Sequence, residues 1–461
     1  MLRIANGTIV TSETVFRGDV LLEGEKIVAL GTALPCSSEI ETIDASGCLI
    51  LPGIIDCHLH FNLLQGDITT RDDFETGSRA AAAGGVTCYL DYITQRRGET
   101  LAGAIAARRA EADGHTLVDY GLHLNVNDIA HGQLAELPSL IDLGISSIKI
   151  YTTYKQTGFY VDDWVWYTLL RASPEHGILV EAHCENDDLM AGVRAQLIAE
   201  GKTGLRYHGQ ARPAMAETET VYRGLYLARA AQASSYFVHQ SSADSVDAIV
   251  EARQRGQRAI AETCPHYLLL TDDAYAGPHP ERYTMTPPLR DAENGRRLWE
   301  HVARGNIACI GTDHCGYTLE HRLQLADFTK IAPGIPSTEL LLNLLYSEGV
   351  ARGRITLQQL VSLLSTNAAR VFGLAPAKGS LSPGRDADLV IFDPEARWTV
   401  SAGQLVSAAG YSPYEGTTLT GRVRTTLSRG RVVYDRGNFP PASGHGRFVR
   451  RGPHDPEHSF V

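Results

Sequence analysis

Excess positive charge is missing from this chain: 42 Lys and Arg face 53 Asp and Glu, a formal net charge of -11. That balance excludes the electrostatic footprint of a nucleic-acid binder. No apolar run approaches the roughly 20 residues that span a bilayer, and the opening Met1-Leu2-Arg3-Ile4-Ala5 lacks the apolar core of a secretory signal. A cytoplasmic protein with no membrane partner is expected, so the sequon Asn6-Gly7-Thr8 has no bearing. The cysteines, Cys36, Cys48, Cys57, Cys88, Cys184, Cys264, Cys309 and Cys315, show neither Cys-x-x-Cys spacing nor the density of a disulfide scaffold. Reduced, buried thiols are expected.

Several catalytic signatures are absent too. There is no Gly-x-Ser-x-Gly elbow and no Gly-x-Gly-x-x-Gly after a strand, and Gly201-Lys202-Thr203 has Gln196 where a phosphate loop needs its first glycine. Serine hydrolase, dehydrogenase and kinase readings fall away. Neither a fixed-period repeat nor a low-complexity tract is visible.

What the chain does contain is core: 461 residues at 43% hydrophobic content leave room for one large unit and one smaller one. β-like runs start near Ile50, Val86, Val118, Ser146, Ile178, Ser235, Ala259 and Ala308, with helix-compatible stretches between them, such as Asp72 to Ala83 and Ser245 to Arg255. Eight strands alternating with helices predict a closed (β/α)8 TIM-like barrel. Residues 1–50 alternate apolar and polar positions around turn signals at Arg17-Gly18-Asp19 and Glu23-Gly24-Glu25, and residues 379–392 and 423–434 share that β character. The expected organisation is α/β: a β-sandwich from residues 1–50 plus 375–440, a barrel over 51–374, and a tail or contact arm over 441–461.

Chemistry gathers where these strands end. Asp56-Cys57-His58-Leu59-His60 places two imidazoles on one face of an extended strand. Lys149 sits between isoleucines in Ile148-Lys149-Ile150-Tyr151; His183, His239 and the pair Asp313-His314 close further runs. Histidine nitrogens and carboxylate oxygens suit zinc or a similar divalent ion, although each histidine taken singly is equally a satisfied core residue. Lysine fits the set only without its proton or as a carbamate, which is a carboxylate on a long arm. Spacing leaves that reading open beside a snorkelling or salt-bridged lysine.

The ordered set Asp-Cys-His-Leu-His, Ile-Lys-Ile-Tyr, Glu-Ala-His-Cys-Glu-Asn, Val-His-Gln-Ser-Ser and Gly-Thr-Asp-His-Cys resembles the cyclic amidohydrolases of the dihydropyrimidinase, hydantoinase and allantoinase group. The likeness extends to Arg79 through Thr87, Cys264-Pro265-His266-Tyr267, Pro287-Pro288-Leu289-Arg290 and Gly384 through Leu389. It implies two zinc ions per subunit, bridged by carboxylated Lys149 and a hydroxide, with His58, His60, His183, His239 and Asp313 as the remaining ligands. It further implies that Asp313 is general base and acid, that Tyr154 donates to the oxyanion, and that subunits form a homo-oligomer, commonly a tetramer.

Local departures narrow the choice. Phe61-Asn62 stand where dihydroorotases carry an arginine, which argues against an orotate-type substrate, and Tyr154 favours the hydantoinase and dihydropyrimidinase branch over allantoinases. Thr286 replaces the usual serine, and Pro333 replaces an asparagine, removing a backbone N–H and an amide. Thr286 and Pro333 are expected to meet the substrate ring, and Leu63, Leu64 and Phe159 to wall its substituent. The expected activity is ring opening of a 5-substituted hydantoin or dihydropyrimidine to an N-carbamoyl amino acid. Allantoin or cyclic-imide hydrolysis on the same site is the alternative, and a metal-free scaffold paralogue is the non-enzymatic one.

Overall fold

A computed structural model describes residues 1–32, 34, 40–325, 327–441 and 444–457. Cys36 and the last residues of the tail lie outside them; the other seven cysteines are buried and unpaired. Among the described residues no helix is long and apolar enough to cross a membrane.

Both chain ends build one sheet. Its order runs Arg431–Asp435, Thr418–Ser428, Leu389–Thr399, Leu49–Pro52, Leu2–Val10, Val15–Glu23, Lys26–Gly31, with Glu41–Asp44 also beside Leu2–Val10. Leu389–Thr399 runs antiparallel to Leu49–Pro52, pairing Leu389 with Pro52 and Ile391 with Ile50. Ile4, Ile9, Val20, Ile50, Leu389 and Leu427 share its apolar core. Residues nearly 400 positions apart therefore stabilise each other by burying the same face.

The second sheet is the barrel. Ile54–Leu59, Val86–Thr94, Asp119–Asn125, Ser147–Tyr151, Leu179–His183, Ser235–Phe237, Ala259–Thr263 and Cys309–Ile310 pair in parallel in chain order. Closure comes past the strand ends: Asp313 N–H donates to the His58 carbonyl at 2.8 Å and His60 N–H to the His314 carbonyl at 2.8 Å. All eight expected strands form. The first differs in extent, because the apolar run from Leu49 splits at Gly53 and its opening residues join the other sheet. A Cβ on Gly53 would lie 2.0 Å from Thr87 Oγ1, so only glycine fits where the chain changes sheets.

Surrounding helices start where short polar side chains cap them. Asp73 forms a capping box for Phe74–Ala83, and Asp162, Asn186 and Asp291 accept from the first turns of Asp163–His176, Asp187–Ala199 and Ala292–Ala303. The two helices expected from sequence are Phe74–Ala83 and Ala243–Gln254. Asp72 is not helical; its carboxylate turns inward to His314 Nε2 at 3.0 Å.

Beneath the barrel, Lys378 Nζ lies 2.7 Å from Asp119, 2.7 Å from Asp388 and 3.1 Å from Asp386. Asp386 and Asp388 come from the Gly384–Leu389 segment, so that motif ties sheet to barrel. The tail is a contact arm: Val449 N–H donates to the Tyr120 carbonyl at 2.7 Å, and Arg451 is buried with Nη2 2.9 Å from Ser147 Oγ.

Candidate active site

The ligand-type residues converge at the carboxyl end of the barrel. His58 belongs to the first strand and His60 follows it, Lys149 is central in the fourth, His183 closes the fifth, and His239 and Asp313 lie just past the sixth and eighth. His58 Nε2 is 3.0 Å from Lys149 Nζ and 3.3 Å from Asp313 Oδ1, while His60 Nε2 is 3.2 Å from the same oxygen. On the other side, the His183 and His239 rings meet edge to face at 4.5 Å between centroids. Ligand atoms of His58, His60 and Asp313 lie within 4.8 Å of one another, as one metal ion requires.

Three of these positions are strained. His239 (φ 37°), Asp313 (φ 49°) and Tyr154 (φ 70°) occupy the left-handed region, where side chains other than glycine cost about 1–3 kcal/mol. Each backbone N–H is tied down. His239 N–H donates to Glu262 at 3.0 Å, Asp313 N–H to the His58 carbonyl, and Tyr154 N–H to Asp187 at 2.8 Å. Strand ends alone would not aim these side chains inward; the turned backbone does.

Carboxylates behind the ligands fix their tautomers. Glu262 accepts from His58 Nδ1 at 2.7 Å and Tyr236 Oη at 2.8 Å, leaving His58 Nε2 to face Lys149. Glu185 binds His183 Nε2 at 2.6 Å and is itself paired with Arg212, so Nδ1 is the nitrogen His183 has left. Asp56 accepts from Thr312 Oγ1 at 2.6 Å and Thr338 Oγ1 at 2.7 Å, anchoring the Asp313 turn. Sequence reasoning missed all three. Their signal was a lone acid within or beside a fully apolar strand, as in Ala259-Ile260-Ala261-Glu262.

Burial decides the charges. It pushes His58, His183 and His239 below the usual imidazole range, with the Lys149 charge adding in the same direction, so the rings are neutral as ligands must be. Burial lowers Lys149 as well, against the pull of Asp313, Glu181 and Glu262. Asp313 is the reverse case: burial would raise it, but His60, His239 and Lys149 hold it well below the ordinary carboxylate range. Burial also lifts Glu262 to about 8.

The donor set leaves two buried groups unmet. His239 Nδ1 is buried with no hydrogen-bond partner, and Lys149 makes no ion pair among the described residues. A divalent cation would satisfy His239 Nδ1, so the donor set fits a bound metal.

A cavity of about 670 Å³ opens over this cluster. Tyr154, Phe159, Thr286 and Pro333 line it, with Leu63 and Asp313. Tyr154 Oη is 2.6 Å from Thr286 Oγ1. Leu64 is not brought to it: its side chain is 57% exposed on the short hairpin Leu64–Thr69, where alternation turns Leu63 and Gln65 toward the cavity instead.

The model of the amidohydrolase family matches residues 49–433. The chain belongs to that family. This amidohydrolase is 39% identical to the D-hydantoinase of Geobacillus stearothermophilus, over 97% of this chain and 96% of that one. It is 38% identical to a D-phenylhydantoinase of Escherichia coli over 98% of both. Among solved structures it superposes on the dihydropyrimidinase from Brevibacillus agri with a TM-score of 0.96 at 39% identity, covering 98% and 99% of the two chains. The L-hydantoinase from Arthrobacter aurescens gives 0.90 at 30%, covering 98% and 99%. The amidohydrolase is thus a cyclic amidohydrolase of hydantoinase and dihydropyrimidinase type, with a barrel and a sheet unit arranged as expected from sequence.

Proposed function

We propose that the enzyme opens a 5-substituted hydantoin or a dihydropyrimidine to an N-carbamoyl amino acid, using two zinc ions and carboxylated Lys149. The observation that supports this most is buried Lys149, whose Nζ lies among the site histidines, 3.0 Å from His58 Nε2, and makes no ion pair among the described residues. An ammonium there lacks a paired carboxylate, whereas an amine that adds to carbon dioxide and releases a proton becomes the anion that a cation held by these histidines calls for. Held by His58 and His60 on one side and His183 and His239 on the other, with Lys149 between and Asp313 alongside, zinc would supply a water acidified toward neutrality and a Lewis acid for the scissile carbonyl.

The chain's own groups do the rest. Asp313, kept ionised, accepts the proton of the attacking water and passes it to the ring nitrogen as the C–N bond breaks. Tyr154 stays a protonated phenol because burial raises its pKa, so its hydroxyl donates to the carbonyl oxygen as charge develops. Glu262 and Glu185 hold His58 and His183 in the tautomers described.

Metal analysis and a ring-opening screen test the proposal. The purified enzyme is expected to bind about two equivalents of zinc and to open hydantoins or dihydropyrimidines, and Lys149→Ala to lose both metal and turnover. Zinc-loaded enzyme that opens no hydantoin, dihydropyrimidine or allantoin ring would sink it.

A further inference from the structure

Beside the ring cavity lies a second, larger one of about 1230 Å³. The two share Gln65, Tyr154, Thr157, Thr286 and Pro333, so they adjoin along these residues. Its lining is strongly biased in charge. Lys155, Arg194, Arg212 and Lys330 face it, against one carboxylate, Asp187, among the described residues. On a chain of net charge -11 this local reversal is not the background composition.

Two of these cations are already used. Lys155 Nζ pairs with Asp188 at 2.5 Å, and Arg212 with Glu185. The side chains of Arg194 and Lys330 make no ion pair or hydrogen bond among the described residues, and the Arg194 guanidinium carbon sits 5.7 Å from the Phe328 ring centroid. Half-burial pushes the Arg194 pKa down and Arg212 pushes it further, against a weaker opposing pull from Asp187, Tyr154 and Asp327, none of which forms an ion pair with it. Asp187 is turned to other work, accepting from Tyr154 N–H and Thr153 Oγ1. A partly desolvated guanidinium with free donors is a carboxylate-binding fork.

Resting on the cyclic-amide reading above, we propose that the preferred substrate is a cyclic ureide bearing a carboxylate on a flexible arm at its ring carbon, received by Arg194 and Lys330 in this vestibule. The ring occupies the cavity over Lys149 and Asp313, and the arm passes Tyr154 and Thr286 into the second cavity. The product is then the N-carbamoyl derivative of an acidic amino acid. Neutral aliphatic arms would leave the guanidinium unpaired, so discrimination comes from the unmet cation as much as from contact.

The test compares kcat/KM of the zinc-loaded full chain for a hydantoin carrying a carboxyethyl arm with that for the propyl analogue of similar length. The wild type is expected to favour the acid by about 10-fold or more at low ionic strength. Arg194→Gln should cut that ratio by about 10–100-fold, as expected for loss of a hydrogen bond to a charged group. Arg194→Glu should shift preference to an aminopropyl arm. A wild-type ratio near one, or a ratio that Arg194→Gln leaves where it was, overturns the proposal while leaving ring opening itself intact. If neither hydantoin is opened while the ring-opening screen finds another ring that is, this inference falls and the ring-opening reading stands; if no ring is opened, both fall.

Discussion

Glu262 is the residue whose replacement separates metal positioning from packing. Its carboxylate is fully buried and takes His58 Nδ1 at 2.7 Å, Tyr236 Oη at 2.8 Å and His239 N–H at 3.0 Å, with Cys57 Sγ at 3.8 Å. In Glu262→Gln the amide oxygen can keep His58 and His239, and the Tyr236 hydroxyl can turn to accept from the new NH2. The fold survives, but the group behind His58 can no longer ionise when a cation seats on Nε2. Metal affinity should fall about 10–100-fold, the usual effect of removing a partner behind a histidine ligand. Glu262→Ala strands all three strong donors, at about 1–3 kcal/mol each, so about 3–9 kcal/mol of stability should go as well. Chelator competition measures the first quantity and urea unfolding of the metal-stripped enzyme the second. Wild-type metal affinity in Glu262→Gln would refute the claim that an ionisable carboxyl behind His58 strengthens it as a ligand.

Other outcomes follow from the same geometry. Tyr154→Phe should lower kcat by about 100-fold with zinc content unchanged, and a kinetic assay showing only a KM effect would count against the oxyanion role. Asp313→Asn should retain part of the metal yet abolish turnover; a near-normal rate would remove Asp313 as the proton carrier. Glu339 is buried, and burial raises its carboxyl to about 7 from 4.5 even though Val406 and Ser407 N–H groups donate to it. A raised folded-state value means its contribution is fully present below pH 4.5 and is lost as pH rises through about 7, a span worth about 3 kcal/mol. Glu339→Gln should therefore raise the melting temperature at pH 8 more than at pH 5, and equal effects at the two pH values would contradict it.

Sequence made much of the fold legible because periodicity and position carry it. Strands that alternate with helices predict parallel pairing, and histidines at the ends of apolar runs predict a cluster wherever those ends converge. The metal-ligand candidates needed no more than this, together with the family resemblance. Leu64 shows the limit: in a two-residue strand nothing in the sequence says which of Leu63 and Leu64 turns inward. Gly53 shows another: Pro52-Gly53 marks a break in the apolar run, but nothing local says that its halves belong to different sheets.

The sequence by itself determined the barrel, the smaller sheet from both ends, and the residue types able to bind metal. Only the tertiary structure decided which acids stand behind which histidines and which backbone sites are strained. It alone brought Arg194 to a cavity beside Tyr154. The reason is that local pattern fixes period and face, whereas partners such as Glu262 and His58, 204 positions apart, meet only once the barrel closes. Charge that is ordinary along the chain becomes specific when folding removes its counter-ion and its water.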